Sequence, residues 1–201
     1  MNRPGRPQDK SLDKKITEAA WHLLSDRPLA KLTINEIATQ AETSRPAIYR
    51  RWNSVEEIVI DAFLEIVKDD VPQAVATDPA DALREYIPSL VRFLGSRVGQ
   101  VMAEILGRAQ SDPLLMEKFR EGFLLPRRRH GREMVLRGQS EGVFRKELDC
   151  EMVIDLYAGP IYFRAFARHA PLDEKFAREL AEQVISAIQT NPIKTSAAEE
   201  K

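Results

Sequence analysis

The sequence holds one cysteine, Cys150, and three histidines, His22, His130 and His169, in 201 residues. A single thiol cannot close an internal disulfide. Without Cys or His partners at metal-ligand spacing it points to a reducing cytoplasm and to no structural zinc. The histidines stand far apart and none forms an H-E-x-x-H pair, so no metal site is expected. No window comes near the roughly 18 consecutive apolar residues of a membrane span, and the opening Met1-Asn2-Arg3-Pro4-Gly5-Arg6-Pro7 leads into no apolar signal-peptide stretch. Neither export nor a membrane partner is expected. Strand-like alternation is missing, as is any period of about 20 to 50 residues, which excludes solenoids. There is no G-x-S-x-G, no phosphate-binding glycine loop and no convergent acid–base set, so nothing points to an enzyme or to a bound cofactor.

Charge of neither sign is in excess: 30 Lys and Arg stand against 31 Asp and Glu. With 43% hydrophobic and 30% charged residues, the composition is that of a globular protein rather than a disordered one. The distribution says more than the total. Residues 1–53 carry ten Lys or Arg and six Asp or Glu, a net of +4, and the remainder is net −5. Basic charge at one end suits contact with an anionic polymer there, although a solvated surface can carry the same bias.

Apolar residues recur at helical spacing through nearly the whole chain. Leu12, Ile16, Ala19, Ala20, Leu23 and Leu24 make a first helix, stopped at Asp26-Arg27-Pro28. Thr33-x-x-Glu36 reads as a capping box opening a short second helix, and a third runs from Arg45 to about Trp52. Ser54-x-x-Glu57 reads as a second capping box, opening a fourth helix with Val55, Ile58, Val59, Ala62, Phe63 and Ile66 on one stripe. The proline-marked stretch from Val71 to Pro79 is the expected joint between two blocks. Beyond it, helices are expected at about 80–97, 101–109, 113–138 with a bend near Pro126, 149–168 and 173–190. That makes an all-α chain of nine helices. The expected organisation is a flexible basic arm at 1–10, a DNA-binding domain at 11–53, a connecting helix at 54–71, a C-terminal domain at 72–191 and a flexible tail at 192–201.

The segment from Thr33 to Trp52 is the informative one. Two short helices joined by a three-residue turn need a small residue where they cross, which Ala38 supplies, and apolar anchors, which Ile34, Ile37, Ala41 and Ile48 supply. The second helix is then expected to project Ser44, Arg45, Pro46, Ala47, Tyr49 and Arg51. Such groups read a major groove: arginine bonds bidentately to guanine, Ala47 and Pro46 pack on a thymine methyl, and Ser44 and Tyr49 donate to phosphates. Thr33 and Arg50 complete the expected contact set. On the arm, Arg3 and Arg6 suit the negative potential of a narrow A·T-rich minor groove, or belong to a solubilising tail.

The pattern Thr33-Ile34-x-x-Ile37-Ala38, Ser44, Ile48-Tyr49-x-x-Trp52, with a helix before it and a capped helix behind it, resembles the signature of the TetR (tetracycline-repressor) family across residues 12–66. More weakly, Pro126-Arg127-Arg128, Glu141-Gly142-Val143-Phe144 and Gly159-Pro160 resemble one type of TetR C-terminal domain. Three positions depart from the pattern. Glu42 stands where a turn glycine is usual, at a cost of about 1 kcal/mol if its backbone is left-handed. Arg51 and Trp52 replace the usual histidine and phenylalanine, and Val55 replaces a common phosphate-contacting lysine.

The resemblance implies a regulator, by family habit a repressor, whose two-fold dimer binds palindromic double-stranded operator DNA and leaves it when a small apolar or amphipathic effector binds. It also implies that the last two helices form the dimer's four-helix bundle, through Ile161, Phe176, Leu180, Val184 and Ile188, unless these lie in the monomer core. An effector pocket is implied within the helices from about 83 to 163. Phe93, Met102, Ile105, Phe119, Phe123, Tyr157 and Tyr162 are its candidate lining, although residues of this kind are more often plain core. Arg127-Arg128-Arg129-His130 reads as a solvated helix face.

Overall fold

The structure, a computed structural model, describes residues 10–68 and 76–190. Among these residues the helical segments are α1 Lys10–Leu24, α2 Ile34–Gln40, α3 Arg45–Tyr49, α4 Val55–Val67, α5 Pro79–Gly95, α6 Arg97–Ala109, α7 Pro113–Phe119, α8 Leu125–Ser140, α9 Cys150–Ala167 and α10 Glu174–Ile188. A π turn, Arg120–Leu124, joins α7 to α8 without a break, so the described residues form nine helical rods, the number that the periodicity predicts. The fold is all-α; Phe144 and Gln189 meet in one isolated antiparallel bridge.

Side-chain caps start most of these helices. The side-chain oxygens of Ser96, Asp112, Asp149 and Asp173 accept backbone N–H groups at the starts of α6, α7, α9 and α10, satisfying donors that a first turn leaves open. The Ser96 cap begins α6 at Arg97, earlier than apolar spacing alone predicts. The irregularity expected at Pro126 falls upstream of it. Leu125 donates to Arg120 O, five residues back, and the widened turn makes room for a ring that would otherwise press on the carbonyl four residues before it.

The described residues fall into two compact units. One draws on residues 10–68 and 93–127, the other on residues 76–92 and 128–190. Residues 93–127 thus group with the N-terminal stretch, whereas the sequence places them in the 72–191 block. In the first unit α1 packs on α2 and α4, α2 on α3, and α4 on α6 and α7. Ile16, Ile37, Ile48, Ile58, Phe63, Met102, Ile105 and Phe123 are fully buried in it. The connection from α1 to α2 is tied to α6 by polar contacts. Arg97 Nε donates to Leu24 O at 2.8 Å and its Nη2 to Arg27 O at 2.7 Å, while Leu29 N–H donates to Glu104 Oε2 at 2.5 Å. A guanidinium thereby satisfies carbonyls that the end of α1 leaves open.

In the second unit α9 packs on α10, and Tyr86 of α5 meets Tyr157 of α9 edge-on with ring centroids 5.9 Å apart. Arg84 bridges to Glu182, and Arg128 to Glu151 and Asp155. Arg127 is 7% exposed and Arg128 is half-buried in these pairs, so the expectation that 127–130 form a solvated face is corrected. The run is basic in sequence, but helix geometry turns successive residues to different sides.

Candidate nucleic-acid interface

The α2–turn–α3 element owes its shape to local hydrogen bonds. Thr33 caps α2 by accepting Glu36 N–H at 3.3 Å, and Glu36 returns a carboxylate oxygen to Thr33 N–H at 3.0 Å, the reciprocal box that the sequence predicts. The Thr33 hydroxyl also donates to Glu36 at 2.7 Å, and Arg27 pairs with the same carboxylate. Together the Thr33 hydroxyl and the Arg27 guanidinium hold the Glu36 carboxyl below its ordinary value. The second expected box is only half formed. Ser54 accepts Glu57 N–H at 3.1 Å, but Glu57 reaches past Ser54 to Asn53 N–H at 2.9 Å.

α2 ends in a 6→1 bond from Thr43 N–H to Ala38 O at 2.9 Å and a 5→2 bond from Glu42 N–H to Thr39 O at 3.2 Å. This is a Schellman closure, which places its C′ residue in the left-handed region. That residue is Glu42, with φ 51°. Left-handed backbone is where glycine is favoured, so a side chain here is held against its preference.

Ser44 then caps α3, accepting Ala47 N–H at 3.3 Å and leaving its own proton free. Ser44, Arg45, Pro46, Tyr49 and Arg50 are exposed, as is Thr33 at the start of α2. Among the described residues the guanidinium groups of Arg45 and Arg50 have no side-chain partner, so both cations are open to an anionic or acceptor-rich ligand. Arg3 and Arg6 lie outside the described residues.

Two members of the expected contact set face inwards. Ala47 is 6% exposed: with Ile48 it forms the apolar side of a five-residue helix, and its methyl packs inside rather than projecting. The Arg51 side chain is 11% exposed, pairs with Asp13 of α1 and donates from Nη1 to Ala47 O at 3.0 Å. It holds α3 in place and is not an open cation. The sequence contains no signal for this pairing, because Asp13 lies 38 residues from Arg51. Trp52 is 6% exposed and serves as the expected aromatic anchor.

The candidate pocket residues separate by unit. Phe93, Met102, Ile105, Phe119 and Phe123 lie in the first, Tyr157 and Tyr162 in the second. Phe123 is the hub of a ring cluster, with centroids of Phe119, Phe63 and Phe93 at 5.1, 5.2 and 5.9 Å. The Arg127 guanidinium lies 3.9 Å from the Phe123 ring centroid. Tyr157 is buried, and its hydroxyl is pushed well above the ordinary tyrosine value, chiefly by that burial.

Four of the five expected dimer residues are buried within the single chain. Ile161, Leu180, Val184 and Ile188 are 0%, 7%, 2% and 1% exposed within a single chain, so they fill its own core, and Phe176 lies under the Arg164 guanidinium. The apolar face left open is on α9. Met152, Leu156, Phe163 and Phe166 are all exposed, and with Gly159 they follow the alternating three- and four-residue spacing of a helix-packing seam.

Residues 16–62 match the model of bacterial regulatory proteins of the tetR family, and residues 77–184 match the tetracyclin repressor-like C-terminal domain. The chain is 31% identical over 199 residues to the HTH-type transcriptional regulator YdeS of Bacillus subtilis (strain 168), covering 99% of this chain and 98% of that protein. Among solved structures it resembles the TetR family regulator SCO0332, with TM-score 0.71, 21% identity and coverage of 90% and 99%. It also resembles FadR of Bacillus subtilis in complex with stearoyl-CoA, with TM-score 0.66, 18% identity and coverage of 88% and 99%.

Proposed function

The chain belongs to the TetR family and is a helix-turn-helix DNA-binding transcriptional regulator rather than an enzyme, and on that premise we propose that it acts as a cytoplasmic homodimeric repressor released from a palindromic operator by a small apolar or amphipathic molecule. The observation that carries the DNA reading is the open face of α3, where Arg45 and Arg50 have no side-chain partner among the described residues and stand beside exposed Ser44, Pro46 and Tyr49. Arg45 reads a base, while Ser44, Tyr49 and Arg50 hold phosphates. Arg3 and Arg6 are assigned to the minor groove.

Five residues of α3 reach only a few base pairs, so a second copy is required, with the two α3 helices about 34 Å apart. The exposed seam on α9 supports pairing there. The apolar ring cluster around Phe123 supports an effector with a hydrophobic body, in keeping with the stearoyl-CoA of the FadR complex. No helix among the described residues is long and apolar enough to cross a membrane.

The test is to select duplexes from a random library and compare variants on the selected sequence. Arg45→Ala is expected to weaken binding by about 1–3 kcal/mol and relax preference at one position, whereas Tyr49→Phe weakens all sequences alike. Retention of both affinity and preference by Arg45→Ala would overturn the placement of the recognition helix.

A further inference from the structure

A polar link joins the end of the recognition turn to α4 and α7. The Trp52 indole N–H donates to Asp61 Oδ2 of α4 at 2.7 Å, and the other oxygen of the same carboxylate, Oδ1, receives Lys118 Nζ of α7 at 3.0 Å. One side chain thus joins the turn after α3 to both α4 and α7. Indole has a single donor fixed in the ring plane, so this bond sets the ring's orientation. The backbone of the same residue closes the last turn of the recognition element, Trp52 N–H donating to Ile48 O at 3.0 Å. On α7 the residue after Lys118 is Phe119, whose ring meets Phe123, and on α4 Phe63 follows Asp61 by two residues and meets Phe123 as well.

Resting on the DNA-binding reading above, we propose that Asp61 is a positioning residue for operator binding, its carboxylate making the setting of the recognition helix depend on the position of α7. Each oxygen has its own partner, so a shift of α7 that carries Lys118 along either turns the carboxylate, and the indole with it, or breaks one of the two bonds. Packing alone does not require the link. A phenylalanine would keep an aromatic ring at position 52 without an N–H, and the Asp61 and Lys118 side chains are 36% and 43% exposed, where an ion pair adds little stability. The carboxylate's contribution is geometric.

The experiment uses the full chain and a duplex that the wild-type protein selects from a random library. It compares Trp52→Phe, Lys118→Met, Lys118→Arg and the double variant Trp52→Phe with Lys118→Met. The chain has two tryptophans, so Trp52 emission is read alone in a Trp21→Phe background, without DNA. Lys118→Met is expected to weaken binding on the order of three- to tenfold, the scale of one ordinary hydrogen bond's net contribution, and to shift Trp52 emission. Lys118→Arg is expected to restore both, and Lys118→Met to add no further loss once Trp52 is phenylalanine. Unchanged affinity and emission in Lys118→Met, or losses that multiply independently in the double variant, overturn the proposal. Lys118 is partly exposed, so its variants keep the test open even if Trp52→Phe folds poorly. A wild-type protein that selects no duplex overturns the DNA reading instead, and Trp52 emission in Lys118→Met then decides the link by itself.

Discussion

Replacing Glu42 by glycine should stabilise the protein. Glu42 occupies the left-handed C′ position of the α2 closure with φ 51°, and two backbone hydrogen bonds, from Thr43 and from its own N–H, depend on that conformation. A residue with a Cβ is disfavoured there by about 1–2 kcal/mol. Glycine removes that strain but adds about 0.5–1 kcal/mol of unfolded-chain entropy, leaving a net gain of roughly 0.5–1 kcal/mol. The Glu42 side chain is exposed and makes no hydrogen bond or ion pair with any described residue, so none of these is lost. For a chain of this length the gain corresponds to a rise in Tm of about 1–4 °C. Glu42→Ala and Glu42→Gln separate backbone from charge, since both delete the carboxylate and both keep the Cβ. Thermal unfolding should show a rise for Glu42→Gly alone. DNA binding should tighten in all three variants, most at low salt, because a negative charge two residues before Ser44 is gone. Equal melting temperatures for the glycine and alanine variants would refute the backbone argument.

Two further outcomes follow from burial and charge. Phe163→Glu is expected to give a folded monomer in sedimentation and circular dichroism, because Phe163 is 63% exposed in one chain; Leu180→Glu, at a position 7% exposed, should unfold the second unit, since burying an unpaired charge costs several kcal/mol. A folded, monomeric Leu180→Glu would return the interface to α10. The Glu36 carboxyl titrates below its ordinary 4.5 because of Thr33 and Arg27, so its contribution is complete above 4.5 and is lost as the pH falls through the lower folded value. Glu36→Gln should therefore flatten the acid limb of the stability profile, and an unchanged limb would show that this cap carries no pH dependence.

The DNA-binding element was legible because its determinants are local. Thr33 and Glu36 are three residues apart, Ser44 directly precedes its helix, and the left-handed turn falls on the one residue that departs from the glycine pattern. The inward turn of Arg51 was not legible, since its partner Asp13 comes from another helix and an arginine in a basic helix reads as a surface cation until that partner is placed. Arg127 was misjudged for the same reason. A run of three arginines looks solvated in one dimension, but Arg127 reaches Phe123 O and Val67 O with its guanidinium over the Phe123 ring, contacts up to 60 residues away.

The two C-terminal helices show a different kind of ambiguity. An apolar stripe has the same spacing whether it faces its own core or a second copy, so the Leu180, Val184 and Ile188 row of α10 is compatible with either. The number of stripes discriminates. α10 has one, and Leu180, Val184, Ile185 and Ile188 on it are buried within the single chain. α9 carries apolar residues on more than one side. Val153, Ile154, Tyr157 and Ile161 fill the interior, and Met152, Leu156, Phe163 and Phe166 remain outside. Four large apolar residues aligned on an exposed helix form a contiguous patch of the kind that monomers rarely leave in water. Gly159 in the middle of that row lets another helix approach closely: a Cβ built there would meet nothing within 4 Å in the single chain. On the dimer proposed above, the surplus stripe of α9 is the one left for a second copy to cover, whereas the single stripe of α10 is buried within the chain itself.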